Sequence, residues 1–247
     1  MHEASLYDEN SFLTLTYSDE NIPSGGSLNV SDFQNFMKRL RKSVYPKKVR
    51  FFQCGEYGDI TKRPHHHCLL FNHGFHDKEL WSKREGIRIF VSDELSRLWP
   101  HGFSTFGDVT FESASYVARY SLKKVTGKYA ETHYGSRKPE FVTMSRRPGI
   151  AKAWFDKYKT DVYPRDRVVV RGFPSRPPRF YDNLLGAKDP SLLALLKIDR
   201  EKNAQRFVTD VLSDGRKIRV SDSCDSRLLV KEQVKRAEIS FLKRSLV

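Results

Sequence analysis

Apolar and polar positions alternate along residues 9–17, where Phe12, Thr14 and Thr16 interleave with Leu13, Leu15 and Tyr17. A period of two predicts a first strand. Ile22-Pro23-Ser24-Gly25-Gly26 reads as a loop. From Asp32 to Val44 the period changes. Phe33, Phe36, Met37 and Leu40 recur at i, i+3, i+4 and i+7, the stripe of a helix laid on a core, with Ser31 as its cap. Lys38, Arg39, Arg41 and Lys42 flank the stripe as a solvated face. Val49 to Cys54 predicts a second strand, and Pro64 to Phe71 a third beside it. Val91 to Trp99 predicts a short helix capped by Ser92, and Gly102 to Phe111 another strand. Ser115 to Lys124 predicts a helix with Ser113 at its N-cap and Gly127 just past its end. The order β-α-β-β-α-β-α fits an α+β domain with helices packed on a central antiparallel sheet.

The pattern loosens afterwards. Gly127 to Gly149 reads as loop-rich, and Ala151 to Asp161 as helical around Trp154, Phe155 and Tyr158. Val162 to Tyr181 is rich in proline and arginine, with one short strand at Val168 to Val170; Pro174, Pro177 and Pro178 oppose regular structure elsewhere. Asp182 to Pro190 is the expected boundary between a domain of residues 1–182 and a basic, helical C-terminal extension of residues 183–247. Two helices are expected in the extension, Ser191 to Val211 and Ser226 to Leu246, the second basic and amphipathic.

Charge changes the picture more than length does. The chain has 247 residues and a formal net charge of +14. Residues 1–112 carry 14 Lys and Arg against 15 Asp and Glu, whereas residues 113–182 carry 16 against 6 among 12 aromatics. Basic side chains interleaved with aromatic ones suit phosphate contacts and base stacking better than a generic solvated surface. Arg119, Lys124, Arg137, Lys138, Arg146 and Arg147 are the candidate DNA contacts. Three cysteines, Cys54, Cys68 and Cys224, lack zinc-finger or CxxC spacing, which fits reduced thiols. No run has the length of a transmembrane helix and the N-terminus has no signal pattern, so no membrane partner is expected.

Two stretches carry candidate chemistry. On the strand from Pro64 to Phe71, His65 and His67 share a face with Leu69 and Phe71, while His66 turns to the other. Two imidazoles roughly 6–7 Å apart along one face can converge on a divalent ion. Glu56, upstream in Gly55-Glu56-Tyr57-Gly58, could add a carboxylate, giving a set that leaves coordination positions open. A core strand that happens to contain histidines fits the triplet about as well. The helix at Ser115 to Lys124 tips the balance. Ala114, Ala118, Leu122 and Val125 form an apolar row, and Tyr116, Tyr120 and Lys123 lie near the opposite side. Its hydroxyls are expected off one face and outside the aliphatic core. Beside a metal strand, two stacked tyrosines and a lysine read better as nucleophiles for phosphoryl transfer than as surface rings packed under a loop.

These residues resemble a known family. Phe12-Leu13-Thr14-Leu15-Thr16-Tyr17, then Gly55-Glu56-Tyr57-Gly58 with Arg63-Pro64-His65-His66-His67, then Tyr116-Val117-Ala118-Arg119-Tyr120 with Lys123 and Lys124, look like motifs I, II and III of the HUH endonucleases. The match is closest to the replication initiators of microviruses, of the gokushovirus type, and covers most of Ser11 to Asp182. One departure stands at the N-terminus: such initiators usually carry a cysteine-containing segment before the first strand, and here the sequence begins Met1-His2-Glu3-Ala4. The resemblance implies the HUH fold, His65, His67 and Glu56 as ligands of Mg²⁺ or Mn²⁺, Tyr116 and Tyr120 as paired nucleophiles, and Lys123 as an active-site lysine. It implies a rolling-circle initiator that nicks and rejoins one strand through a 5′-phosphotyrosine in the cytoplasm of a bacterial host. Its partners would be origin DNA, single-stranded or nicked duplex, with host helicase and polymerase. Two alternatives are a single-tyrosine HUH nickase of plasmid initiator, relaxase or transposase type, and a non-catalytic single-stranded DNA-binding protein.

Overall fold

The computed structural model describes residues 1–84, 86–204, 207–211 and 214–241. In chain order come β1 (Asn10–Thr16), α1 (Val30–Ser43), β2 (Arg50–Tyr57), β3 (Pro64–Phe71), β4 (Glu79–Arg84), β5 (Ile87–Val91), α2 (Asp93–Leu98), β6 (Ser104–Asp108), α3 (Phe111–Lys123), α4 (Ala130–Tyr134) and β7 (Phe141–Met144). The seven strands form one sheet of order β4-β5-β6-β1-β3-β2-β7, and every pairing is antiparallel. The class is α+β, as the order of elements predicts.

Alternation in the central strands sends side chains to two different cores. Leu13, Leu15, Cys68 and Leu70 face α1 and α2, where Phe33, Phe36, Met37, Leu40, Leu95 and Trp99 close the larger cluster. Phe12, Cys54, Leu69 and Phe71 face α3. The α1 stripe is buried as the sequence requires, but its cap is Asn29, not Ser31: Asn29 is extended and its side chain accepts from the Ser31 N–H. Ser92 caps α2 by accepting from Leu95 N. Two elements escape the expected order. The β4–β5 hairpin forms one edge of the sheet and β7 the other.

Close approach fixes the loop into β6. Ser18 N donates to His101 O and Thr16 N to Phe103 O, both at 2.9 Å, drawing Gly102 against the end of β1. A Cβ at Gly102 would meet Ser18 N at 2.4 Å and the Tyr17 carbonyl carbon at 2.6 Å. Backbone cannot swing away as a side chain does. Gly102→Ala is therefore expected to cost about 1–3 kcal/mol or more of stability, read as a lowered thermal midpoint. An unchanged midpoint would contradict this packing.

The chain divides into two compact units, Met1–Trp154 and a second beginning at Phe155. Helix α5 (Lys152–Val162) runs across that division, followed by β8 (Val168–Val170), β9 (Phe173–Ser175), α6 (Arg179–Gly186), α7 (Pro190–Ala204), β10 (Phe207–Val211), β11 (Lys217–Ser221) and α8 (Asp225–Ser240). Within the second unit, Arg200 bridges Asp166 and Asp182 at 2.5 and 2.7 Å, and Tyr163 donates to Asp182. The helix expected over Ser191 to Val211 ends at Ala204. Its last part is β10, paired antiparallel with β11, where Val208-Thr209 and Val211 favour a strand. Residues 182–190, read as a boundary, run through α6 to the start of α7. The expected helix end at residues 242–246 lies outside the described residues. Cys54, Cys68 and Cys224 are free thiols, and no helix among the described residues is long and apolar enough to cross a membrane.

Candidate active site

The antiparallel register of β2 on β3 builds the cluster. Glu56 stands directly opposite His65, and Cys54 opposite His67, so alternation sends Glu56, His65 and His67 to the same face. Glu56 Oε1 lies 2.6 Å from His65 Nε2 and 3.1 Å from His67 Nε2. Glu56 and His67 are buried and His65 half-buried. Burial opposes ionisation of Glu56, yet hydrogen bonds from the two imidazoles outweigh it and hold its pKa at about 2. Burial lowers the pKa of His67.

The far side of each ring is also fixed. His65 Nδ1 is 3.1 Å from the Arg63 carbonyl, and His67 Nδ1 is 3.1 Å from Thr14 Oγ1. A proton donated from Nδ1 to these oxygens leaves both Nε2 atoms turned toward Glu56. One carboxylate oxygen and two imidazole nitrogens, all within 4.8 Å of one another, form a donor set that fits a divalent cation. Thr14 sits opposite His67 in the β1–β3 register, and only its place in the Phe12-to-Tyr17 alternation hints at this in sequence. Thr14→Val should weaken Mn²⁺ affinity by roughly tenfold, the lower end for loss of an outer-shell partner, since the Leu13 backbone also bonds the imidazole. Titration of Mn²⁺ by electron paramagnetic resonance reads this; unchanged affinity would remove Thr14 from the site.

Helix α3 covers the cluster. Thr110, not Ser113, is its N-cap; Ser113 answers from N3, completing a capping box. The buried stripe is Ser113, Tyr116, Val117 and Tyr120, whereas Ala118 is exposed. The expected apolar row therefore does not face the sheet. Tyrosines bury more area than alanines, and this part of the sheet offers polar partners for their hydroxyls. The Tyr116 hydroxyl lies 3.5 Å from His67 Nε2. The His67 ring packs edge-on to Tyr116 at 5.1 Å and stacks on Tyr120 at 5.7 Å, and the two phenol rings are 4.8 Å apart. Burial raises the pKa of both phenols. The hydrogen bond between them offsets part of that rise for Tyr116 and adds to it for Tyr120.

His66 belongs to the other face. It is fully buried, with Gln53 Nε2 donating to its Nδ1 at 2.9 Å and Tyr17 Oη 3.1 Å from its Nε2. Tyr17 in turn donates to Asp32, and Thr143 to Gln53, so β1, α1, β2, β3 and β7 are tied by one buried chain of hydrogen bonds.

The remaining candidates separate into two groups. Half-buried Arg119 and exposed Lys124 belong to α3 and its C-cap. Lys123 is the last residue of α3, its side chain outside the described residues. Arg137 lies over the Tyr57 ring at 5.0 Å, and the Lys138 carbonyl accepts from Tyr57 Oη, which puts both next to the Glu56 end of β2. Arg146 and Arg147 follow β7, whose last residues pair with Phe52 and Gln53, and so lie toward the opposite end.

The chain has recognisable relatives. A family profile for the replication-associated protein ORF2 matches residues 10–125, which include every residue of the cluster and both tyrosines. The replication-associated protein VP4 of Bdellovibrio phage phiMH2K is 38% identical over 191 residues, covering 74% of this chain and 59% of that protein. The replication-associated protein ORF2 of Spiroplasma virus 4 is 32% identical over 235 residues, covering 84% of this chain and 72% of that protein. The replication-associated protein ORF4 of Chlamydia phage 1 is 33% identical over 74% of this chain and 47% of its own length. This chain thus spans roughly half to three-quarters of these relatives. No solved structure gives a significant match. Identity carried across most of both chains, as with the spiroplasma virus protein, places this one in the replication-associated protein ORF2 family of small phages.

Proposed function

We propose that this protein is a rolling-circle replication initiator of the HUH type, which nicks and rejoins one DNA strand through a 5′-phosphotyrosine. The observation that carries this reading is the packing of two phenols against a carboxylate–bis-imidazole cluster, with Tyr116 Oη 3.5 Å from His67 Nε2. A fold that only bound DNA would have no use for a phenol beside such a cluster. The strand chemistry is assigned to residues 1–182 and the extension of residues 183–247 to an accessory role.

Glu56, His65 and His67 would hold Mg²⁺ or Mn²⁺. Once bound, the cation supplies a Lewis acid for the scissile phosphate and offsets the Glu56 charge that disfavours a phenolate. The oxygen of Tyr116 or Tyr120 attacks phosphorus, the P–O3′ bond breaks, the phenol proton passes to solvent and the leaving 3′-oxygen takes one up. The ester bond to tyrosine conserves the phosphodiester, so a 3′-OH can attack it in reverse and release the phenol. Buried phenols ionise reluctantly, and the lysine assigned by resemblance, Lys123, would steady the phenolate or the transferring phosphoryl group. Arg119, Lys124, Arg137 and Lys138 would contact phosphates at this end of the sheet. The substrate is the origin strand in the host cytoplasm, and the extendable end would be handed to host helicase and polymerase.

The product distinguishes this from its rivals. Incubated with Mn²⁺ and an origin-strand oligonucleotide, the protein should leave a 3′-OH that a polymerase extends and a 5′ end that a kinase cannot label after proteolysis. Binding without cleavage would leave a single-stranded DNA-binding protein, and a free 5′-phosphate would exclude tyrosine as nucleophile.

A further inference from the structure

At the end of β2 opposite Glu56, a cavity of about 690 Å³ opens between the loop after α1 and the loop after β7. Its rim is basic. Arg41, Lys47, Lys48, Arg50, Arg146 and Arg147 all line it. Two of these charges are answered: Lys47 by Glu9 at 2.8 Å and Arg50 by buried Glu3 at 2.6 Å. Arg41 lies over the Phe51 ring at 5.7 Å. Among the described residues, Lys48, Arg146 and Arg147 have no carboxylate partner. Like charges gathered around one concavity repel, and a polyanion relieves that repulsion. Tyr45, 84% exposed, stands on the same rim.

Unpaired cations beside a bare aromatic ring form the combination that holds a single strand: the cations follow phosphates, and the ring stacks on a base that duplex DNA keeps paired. We infer that this cavity is a second single-stranded DNA site, separate from the cleavage cluster and engaging the strand that flanks the nick. Six steps of β2 from Arg50 to Glu56, at ~3.3 Å each, separate the two by roughly 20 Å. That is about six stacked nucleotides at ~3.4 Å apiece. A strand held at both ends would stay attached through the interval between cleavage and rejoining. The inference rests on the proposed strand-cleaving function for its biological meaning, though not for its test.

The test is fluorescence anisotropy on the full chain in EDTA, so that no cleavage intervenes. The probes are labelled single strands of 6 and 20 nucleotides and a 20-base-pair duplex. The wild type should bind the 20-mer at least tenfold more tightly than the 6-mer. The triple variant Lys48→Ala/Arg146→Ala/Arg147→Ala should lose most of that gain. Its log–log salt slope on the 20-mer should be shallower by about 2, at ~0.7 per phosphate contact on a single strand. Tyr45→Ala, an exposed change that leaves every buried contact in place, should weaken 20-mer binding by about tenfold and leave duplex binding alone. Wild-type affinity and slope in the triple variant would overturn the inference, as would losses confined to the duplex. Cleavage is scored separately: a protein that binds as stated yet never nicks would refute the strand-cleaving function and leave this site standing.

Discussion

Replacing His65 or His67 with alanine is expected to slow strand cleavage on the order of 10³-fold or more, while affinity for the uncleaved strand changes only a few-fold. The cluster has three donors, and each Nε2 is aimed by an acceptor behind its ring. Removing one leaves Glu56 with a single imidazole neighbour. Lewis-acid stabilisation of a phosphoryl transition state is worth several kcal/mol, and each ~1.4 kcal/mol lost is about tenfold in rate. DNA binding draws on basic side chains elsewhere and should largely persist. His66→Ala makes the informative contrast. It opens a cavity and orphans Gln53 and Tyr17 on the other face, so its effect should appear in the thermal midpoint and not in the Mn²⁺ dependence of the remaining activity. Metal-dependent nicking that survives loss of both His65 and His67 would refute the assignment.

The cluster is legible from sequence because it obeys the simplest rule a strand has. His65 and His67 share a face by alternation, and Glu56 joins them through an ordinary antiparallel register. Thr14 is not legible, because its role depends on which β1 residue falls opposite His67. The orientation of α3 escapes the sequence for a related reason. Counting aliphatic side chains favours Ala114, Ala118 and Leu122, but what lies beneath the helix is polar and accepts Tyr116 and Tyr120. The β4–β5 hairpin hides behind its edge position, where Lys83, Arg84, Glu85 and Arg88 blur the alternation. Arg137-Lys138 and Arg146-Arg147 look like one basic stretch. The strand between them carries the second pair away from the first.

The tyrosine pair gives the second large effect. Phe substitution keeps each ring packed against His67 and Phe12 and removes only a hydroxyl. With the rings 4.8 Å apart and both beside His67, either phenol can reach a phosphate held at the cluster, though not both at once. Tyr116→Phe and Tyr120→Phe should therefore each still form some covalent adduct. Rejoining into a closed circle needs one tyrosine loaded while the other cleaves, so each single variant should fail to release circles. Normal circle yield from either one would reduce the protein to a single-tyrosine enzyme.

The central claim is a covalent bond between DNA and one of these phenols. Its most direct test is a denaturing gel of wild type, both single variants and the Tyr116→Phe/Tyr120→Phe double variant, each incubated with Mn²⁺ and an origin oligonucleotide labelled on the 3′ side of the nick. The label should shift to the protein band in the wild type and, more weakly, in each single variant, and should be absent from the double variant. A shifted band in the double variant would contradict the account.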